Sequence, residues 1–279
     1  VTVLPEGTNA SLSSRIDTTV PHPARRYNYW LGGKDNFAAD RADGDRLAEI
    51  YPSVRTAARE NRFFLQRAVR YLAAEAGIRQ FLDIGTGIPT ADNTHEIAQR
   101  IAPESRIVYV DNDPIVLAHA RALLTSTPQG ATAYIDADLR DPERILTDKE
   151  LLRTLDLSEP VALMLVAVVH FLGPEDRPYD IVGRLVEALP SGSYLAISHG
   201  TFDMISAEDR ARTLAGIASG ALKFDWTART REEFTRFTAG LELVEPGVVP
   251  ASEWRSELPE AEREAPEDVS MWVAVARKP

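Results

Sequence analysis

The sequence predicts an α/β fold: a seven-stranded, mostly parallel sheet with an antiparallel last strand, flanked by helices and preceded by a helical N-terminal extension. Three observations carry that prediction. From Gln80 onward, short apolar runs alternate with helix-length stretches, the rhythm of parallel strands joined by helical crossovers. The first apolar run ends in an acid and a Gly-x-Gly turn, Phe81-Leu82-Asp83-Ile84-Gly85-Thr86-Gly87. The last two runs are joined by a long loop instead of a helix, which lets the final strand insert antiparallel to its neighbours.

Taken in order, the stretch from Val1 to about Val20 is rich in Ser, Thr and Gly and reads as a flexible start. Pro21-His22-Pro23 imposes an extended entry, and Gly32-Gly33 interrupts an aromatic segment containing Tyr27, Tyr29 and Trp30. One helix is expected from about Asn36 to Ile50, ended by Pro52. A second runs from about Val54 to Ala76, with Phe63, Phe64, Val69 and Leu72 on its apolar face and Gly77 as its stop. Strands follow at Phe81–Ile84, Ile107–Val110, Thr132–Ile135, Val161–Val166, Tyr194–Ile197, Leu241–Val244 and Met271–Ala276. Between them lie helices at Asn93–Ile101, Pro114–Leu124, Arg177–Leu189, Ala207–Ser219 and Arg231–Thr238. This divides the chain into residues 1–76, an extension with two helices, and residues 77–279, the sheet domain.

Composition removes several classes of function. The 279 residues, 44% of them hydrophobic, suffice for a substantial core. The start has no charged segment followed by a long apolar run, so no signal peptide is expected. The longest apolar run, Val161 to Val169, is far shorter than the ~20 residues of a membrane span. With no cysteine there is no disulfide framework and no thiolate chemistry, and a cytoplasmic protein is expected. A net charge of -11 argues against a nucleic-acid partner. The cluster of Arg25, Arg26 and Lys34 reads as a solvated charged face or a small local patch.

The Gly-x-Gly turn marks the chemistry, because a backbone without Cβ atoms can approach a bound nucleotide-like ligand closely. Asp111 ends the second strand, where a carboxylate can accept hydrogen bonds from both hydroxyls of a ribose, and Asn112 can meet an adenine face. Asp138 follows the third strand and can accept from the exocyclic amine of adenine, with Leu139 packing nearby. Each acid alone reads more simply as a helix cap or loop residue. Acids at successive strand ends favour a site.

The order of these motifs over Phe81 to Leu172 resembles the Rossmann-like class I S-adenosylmethionine-dependent methyltransferases. The resemblance implies that Asp83, Gly85 and Gly87 line the methionine part of the cofactor, Asp111 the ribose, and Asn112, Asp138 and Leu139 the adenine, with Thr86 also binding the cofactor. Pro89 stands where many members carry a third glycine, a departure that changes the loop path. The segment Ala24-Arg25-Arg26-Tyr27-Asn28-Tyr29-Trp30-Leu31-Gly32-Gly33-Lys34-Asp35-Asn36-Phe37-Ala38-Ala39-Asp40, with Glu60-Asn61-Arg62-Phe63, is similar to the signature of one bacterial methyltransferase family of undefined substrate. Its cofactor would be S-adenosyl-L-methionine and its product S-adenosyl-L-homocysteine.

A sulfonium cation with a charged amino acid tail gives the N-terminal segment a role as a cofactor lid. Tyr27 or Trp30 would face the cation and Arg26 or Arg62 would pair the carboxylate, against the plainer reading of aromatics that pin the extension to the body. His170, after the fourth strand, is placed to take a proton from an acceptor or simply to shape the pocket, and His199 is a weaker second candidate. No metal is expected, since His170, Glu175 and Asp176 lack ligand spacing. Phe202, Met204, Phe224 and Trp226 are candidate walls for a small-molecule acceptor, or ordinary core residues. Two other functions compete: a catalytically silent cofactor-binding sensor, and an NAD-dependent oxidoreductase, which fits less well because Thr90 occupies the sixth position of its glycine fingerprint.

Overall fold

The C-terminal ends of five parallel strands meet along one edge of the sheet, and this edge organises the molecule. The structure is a computed structural model that describes residues 17–123, 125–220 and 224–279. Its strands are β1 (Gln80–Ile84), β2 (Arg106–Asp111), β3 (Ala131–Asp136), β4 (Ala162–Leu165), β5 (Tyr194–Gly200), β6 (Glu242–Leu243), β7 (Val249–Pro250) and β8 (Met271–Arg277). The sheet order is β3-β2-β1-β4-β5-β8-β6, with β7 also paired to β8. β8 runs antiparallel to β5, β6 and β7. Sequence order reverses between β1 and β4, the switch point where open α/β sheets bind ligands.

The seven expected strands are all present, and β7 is an eighth. Two residues long and ending in Pro250, which has no N–H to give a ladder, it is too short to show alternation in sequence. The helices are α1 (Pro23–Trp30), α2 (Ala38–Ile50), α3 (Val54–Ala74), α4 (Thr94–Ile101), α5 (Pro114–Leu123), α6 (Pro142–Leu146), α7 (Lys149–Thr154), α8 (Pro178–Glu187), α9 (Ala207–Ala218), α10 (Arg231–Thr235) and α11 (Pro266–Val269). Leu124, the expected end of one helix, and residues 1–16 of the expected flexible start lie outside the described residues.

Between the extended entry at His22 and the interruption at Gly32-Gly33, the aromatic segment forms a helix, α1, that is not among those expected from sequence. Pro23 opens the helix, His22 accepts from the Ala24 N–H at 3.4 Å, and Gly32 follows its end with φ +79°. With only eight residues, the helix is too short for its pattern to stand out in sequence, and its support is tertiary. α6, α7 and α11 are four to six residues long and equally invisible to periodicity. Side chains of Asp141 and Asp148 cap α6 and α7.

Alternation along the strands divides the core. Leu82, Val108, Leu163 and Ile197 face one side with Val182 and Leu185 of α8. Phe81, Ile107, Met164 and Ala196 face the other with Phe64, Leu65, Ala68, Val69 and Leu72 of α3. Phe63, expected on that apolar face, is instead 40% exposed, one residue off the buried stripe. α3, which the expected division at residue 76 places in the extension, contributes Phe64, Leu65, Ala68, Val69 and Leu72 to the sheet's core. No helix among the described residues is long and apolar enough to cross a membrane.

Candidate active site

At the switch point the chain leaves β1 through Gly85 and Gly87, whose φ values of +75° and +67° suit glycine. The Gly85 N–H donates to the Val110 carbonyl and the Gly87 N–H to Asp111 Oδ2, both at 2.8 Å, so the loop is folded back onto the end of β2. The two glycines are needed for different reasons. A Cβ on Gly85 would come within 2.4 Å of Val168 Cγ2, whereas one on Gly87 would meet nothing within 4 Å. Gly87 borders a cavity of about 1500 Å³. Every residue expected to hold the cofactor lines this cavity, as does His170; His199 does not.

The acids along this edge are held in place by neighbouring groups. Asp83 is 4% exposed and accepts from the Thr94 hydroxyl at 2.6 Å. Burial pushes its carboxyl up to about 6, against the Thr94 hydrogen bond and the Arg62 charge. Arg62 donates to the Ala91 and Asp92 carbonyls and to Asn93 Oδ1, and its buried Nε has no partner. Asp111 accepts from Gly87 N and from Asp113 N, leaving each oxygen a second lone pair. Burial raises this carboxyl too. Asn112 donates to Asp138 at 2.9 Å, and Leu139 is buried beside them. The Thr86 hydroxyl donates to the Asp83 carbonyl and braces the turn.

The N-terminal arginines are neither a solvated face nor a surface patch, because Arg25 and Arg26 are each only 5% exposed. Arg26, one of the two arginines expected to pair a cofactor carboxylate, pairs with Asp43 and Asp225, so its charge is already satisfied within the protein. Arg25 lies 3.5 Å from Asp40 and 3.6 Å from Asp113, and His22 Nδ1 lies 3.0 Å from Asp113, which docks α1 beside the β2 end. Trp30 lines the cavity with its Nε1 donating to the Gly44 carbonyl.

Tyr27 also lines the cavity, but its hydroxyl is tied inward. It donates to the Ala58 carbonyl at 2.8 Å and accepts from Asn61 Nδ2 at 2.9 Å. Asn61 Oδ1 accepts from the Ser198 hydroxyl at 2.6 Å, and Ser198 Oγ accepts from the Ala167 N–H at 2.8 Å. Ala167 has φ +55°, a strained value for a residue with a Cβ, and it borders the cavity just past β4. A hydrogen-bonded chain from the N-terminal helix therefore holds the turn that faces the reacting centre.

His170 follows that turn. Its ring sits deep in the protein yet keeps a partly open face toward the cavity. Burial lowers its pKa to about 4, with Asp225 opposing and Arg229 and Arg26 reinforcing the shift. Nδ1 is sealed off without a partner, so Nε2 is the nitrogen left to meet a ligand. His199 is fully buried, its Nδ1 2.7 Å from the Gly200 carbonyl and its Nε2 2.7 Å from Arg229. This fixes the proton on Nδ1 and makes His199 a structural residue. Arg229, itself buried, also donates to the Val169 and Leu172 carbonyls and bolts down the loop carrying His170. Trp226, Phe202 and Phe224 complete this end of the cavity.

The family described as S-adenosyl methyltransferase matches residues 9–279. The chain belongs to that family. A Streptomyces avermitilis protein of family DUF574 is 51% identical, with a TM-score of 0.88 over 95% of this chain and all of that one. A proposed methyltransferase from Thermobifida fusca YX is 42% identical, with a TM-score of 0.84 over 98% of this chain and 99% of that one. No curated protein matches.

The methyltransferase therefore uses S-adenosylmethionine, and the residues present suit it. Open space stands where a Gly87 Cβ would lie, Arg62 Nε is buried without a partner, and the Asp83 carboxylate lies in a burial that a cation would offset. Sequence reasoning missed Asn61, Ser198, Ala167, Arg140 and Arg229. Arg140 ties the β3 end to the next loop through Asp176 and the Phe171 carbonyl. Ser198, a polar residue just after the apolar run of β5, was a readable signal; Arg229, between Ala228 and Thr230, was not.

Proposed function

We propose that this methyltransferase transfers a methyl group to a small molecule bound at the far end of the same cavity. The cavity's volume carries the reading: about 1500 Å³ exceeds the ~300–1,000 Å³ usual for one ligand and leaves room for an acceptor beside the cofactor. The cofactor supplies an activated methyl group, and the protein supplies position and exclusion of water. Asp83 would take the ammonium of the methionine tail, Arg62 its carboxylate, and Asp111 the ribose hydroxyls. Asn112, Asp138 and Leu139 would border the adenine, with Tyr27 and Trp30 covering the site. His170 Nε2 would meet the acceptor. The net charge of -11 disfavours a nucleic-acid acceptor, and a cysteine-free chain of this kind suits the cytoplasm.

Protein incubated with methyl-labelled cofactor and a bacterial metabolite extract should place label in the low-mass fraction. Label found only on macromolecules would overturn the small-molecule reading, and none anywhere would favour a silent sensor. His170→Ala should lower turnover at least tenfold while S-adenosylhomocysteine affinity stays within threefold; full activity would remove His170 from the site.

A further inference from the structure

The acceptor end of the cavity is a built surface. The Trp226 ring lies over the end of β5, where a Cβ on Gly200 would come within 2.9 Å of its Cζ3. Trp226 packs against Phe202 at 5.3 Å and Phe224 at 5.6 Å between ring centroids, and stands 5.8 Å from His170. These rings form one wall continuous with the imidazole, and aromatic faces favour a flat aromatic partner. Among the described residues, the cations beside this wall are already paired: Arg26 with Asp225 and Asp43, and Arg212 with Asp209. An anionic acceptor would lose its water here and, among the described residues, find these cations already engaged.

The second constraint is the proton. A phenol or alcohol must lose its proton as its oxygen is methylated, which calls for a base titrating near neutral pH. Among the described residues, the buried Nδ1 of His170 has no carboxylate or carbonyl partner to stabilise an imidazolium, burial lowers its pKa further, and Asp209 and Asp225 are tied into ion pairs. A weakly basic nitrogen attacks with its lone pair and needs no base in that step.

We infer that the acceptor is an uncharged planar nitrogen compound, an arylamine or aza-arene, lying on Trp226, Phe202 and Phe224 with its nitrogen as the methylated atom. This rests on the small-molecule methyltransferase reading above. The nitrogen lone pair forms the bond to the methyl carbon, the carbon–sulfur bond breaks with its electrons left on sulfur, and the positive charge passes to nitrogen. An arylamine then sheds its N–H proton to water; an aza-arene keeps the charge, facing the aromatic wall. His170, as a neutral imidazole, orients the nitrogen and does not retain the proton.

The test uses 1-naphthylamine, 1-naphthol and 1-naphthoate, three probes on one ring, titrated by calorimetry into protein saturated with S-adenosylhomocysteine. The amine and the naphthol should bind within threefold of each other and naphthoate at least tenfold more weakly. Trp226→Leu, which keeps apolar bulk but removes the ring, should weaken both neutral probes at least tenfold, with S-adenosylhomocysteine affinity within twofold as the check on folding. With labelled cofactor, 1-naphthylamine should be methylated and 1-naphthol at least a hundredfold more slowly. Equal turnover of the naphthol, or none of a bound amine, overturns the nitrogen assignment. Tighter binding of naphthoate, or no binding by any probe, overturns the uncharged aromatic site. Failure of wild-type protein to bind S-adenosylhomocysteine would instead strike the underlying reading, so the two failures are distinguishable.

Discussion

The two ends of this cavity are made in different ways. The cofactor end consists of backbone and short side chains at three successive strand tips, Gly85 to Gly87, Asp111 and Asn112, and Asp138, all brought together by the sheet itself. The acceptor end collects Arg26, His170, Phe202 and Trp226 from four distant segments and depends on buried braces such as Arg229 and Ser198. A site made of backbone tolerates change only where a Cβ fits, whereas a site made of side chains can change its ligand without disturbing the sheet. The first end can thus be common to a superfamily while the second varies.

The strongest challenge to that contrast lies at Gly85. Gly85→Ala forces a left-handed φ on a residue with a Cβ, costing about 1–2 kcal/mol. It also drives that Cβ into Val168, an overpacking cost of about 1–3 kcal/mol. A melting temperature lowered by roughly 5–15 °C is expected, with S-adenosylhomocysteine binding lost in calorimetry. Gly77→Ala is the control: its φ is +72° but its Cβ would meet nothing, so it should show the conformational cost alone. Equal destabilisation of the two variants would mean that the Val168 contact is not what fixes the loop.

Ser198→Ala probes the brace between the two ends. It strips the Ala167 N–H and Asn61 Oδ1 of partners at a position with no exposure, and each unsatisfied group costs about 1–3 kcal/mol. The turn at Ala167 should lose its aim at the acceptor, so turnover should fall at least tenfold while S-adenosylhomocysteine affinity stays within threefold. A matching loss in cofactor affinity would show that the chain supports both ends, and the division drawn here would fail.

The same division explains what the sequence could reveal. Strand tips carrying acids and glycines form a local pattern, and Asp83, Gly87, Asp111 and Asp138 were readable because a few adjacent residues define each. The sheet was readable for a similar reason, since β1 to β5 each carry a continuous apolar run. Pairing partners were not readable, because they are set by contacts across the fold: Arg26, one of two candidate carboxylate partners, is held by Asp43 and by Asp225, 199 residues away. The α1 helix was hidden because it is only eight residues long and is held by packing against α2 and α3. For His199, the weaker candidate base, the same holds: both nitrogens are engaged, by Arg229 and by its neighbour's carbonyl, neither of which its local sequence marks as a partner.

The smallest effect, and the one most specific to the cofactor end, is a pH dependence with two opposite signs. Asp83 has a folded-state pKa of about 6, above its unfolded value. Between those values the folded chain holds a proton the unfolded chain has released, so this group stabilises the empty protein as pH falls through 6 and destabilises it as pH rises. His170 and His199 work the other way: their pKa values are lowered by burial, so the unfolded chain takes up protons first as pH falls below their ordinary value. The Asp83 contribution must therefore be isolated as the difference in melting temperature between wild type and Asp83→Asn, measured from pH 7.5 to 4.5. Wild type should gain on the variant as pH falls. A bound ammonium reverses the preference, because it favours the ionised carboxylate. S-adenosylhomocysteine affinity should weaken about tenfold per pH unit below 6 in wild type and much less in Asp83→Asn. A wild-type dissociation constant unchanged from pH 7.5 to 5 would remove Asp83 from the ammonium site, and the tail would have to be held by Arg62 and backbone alone.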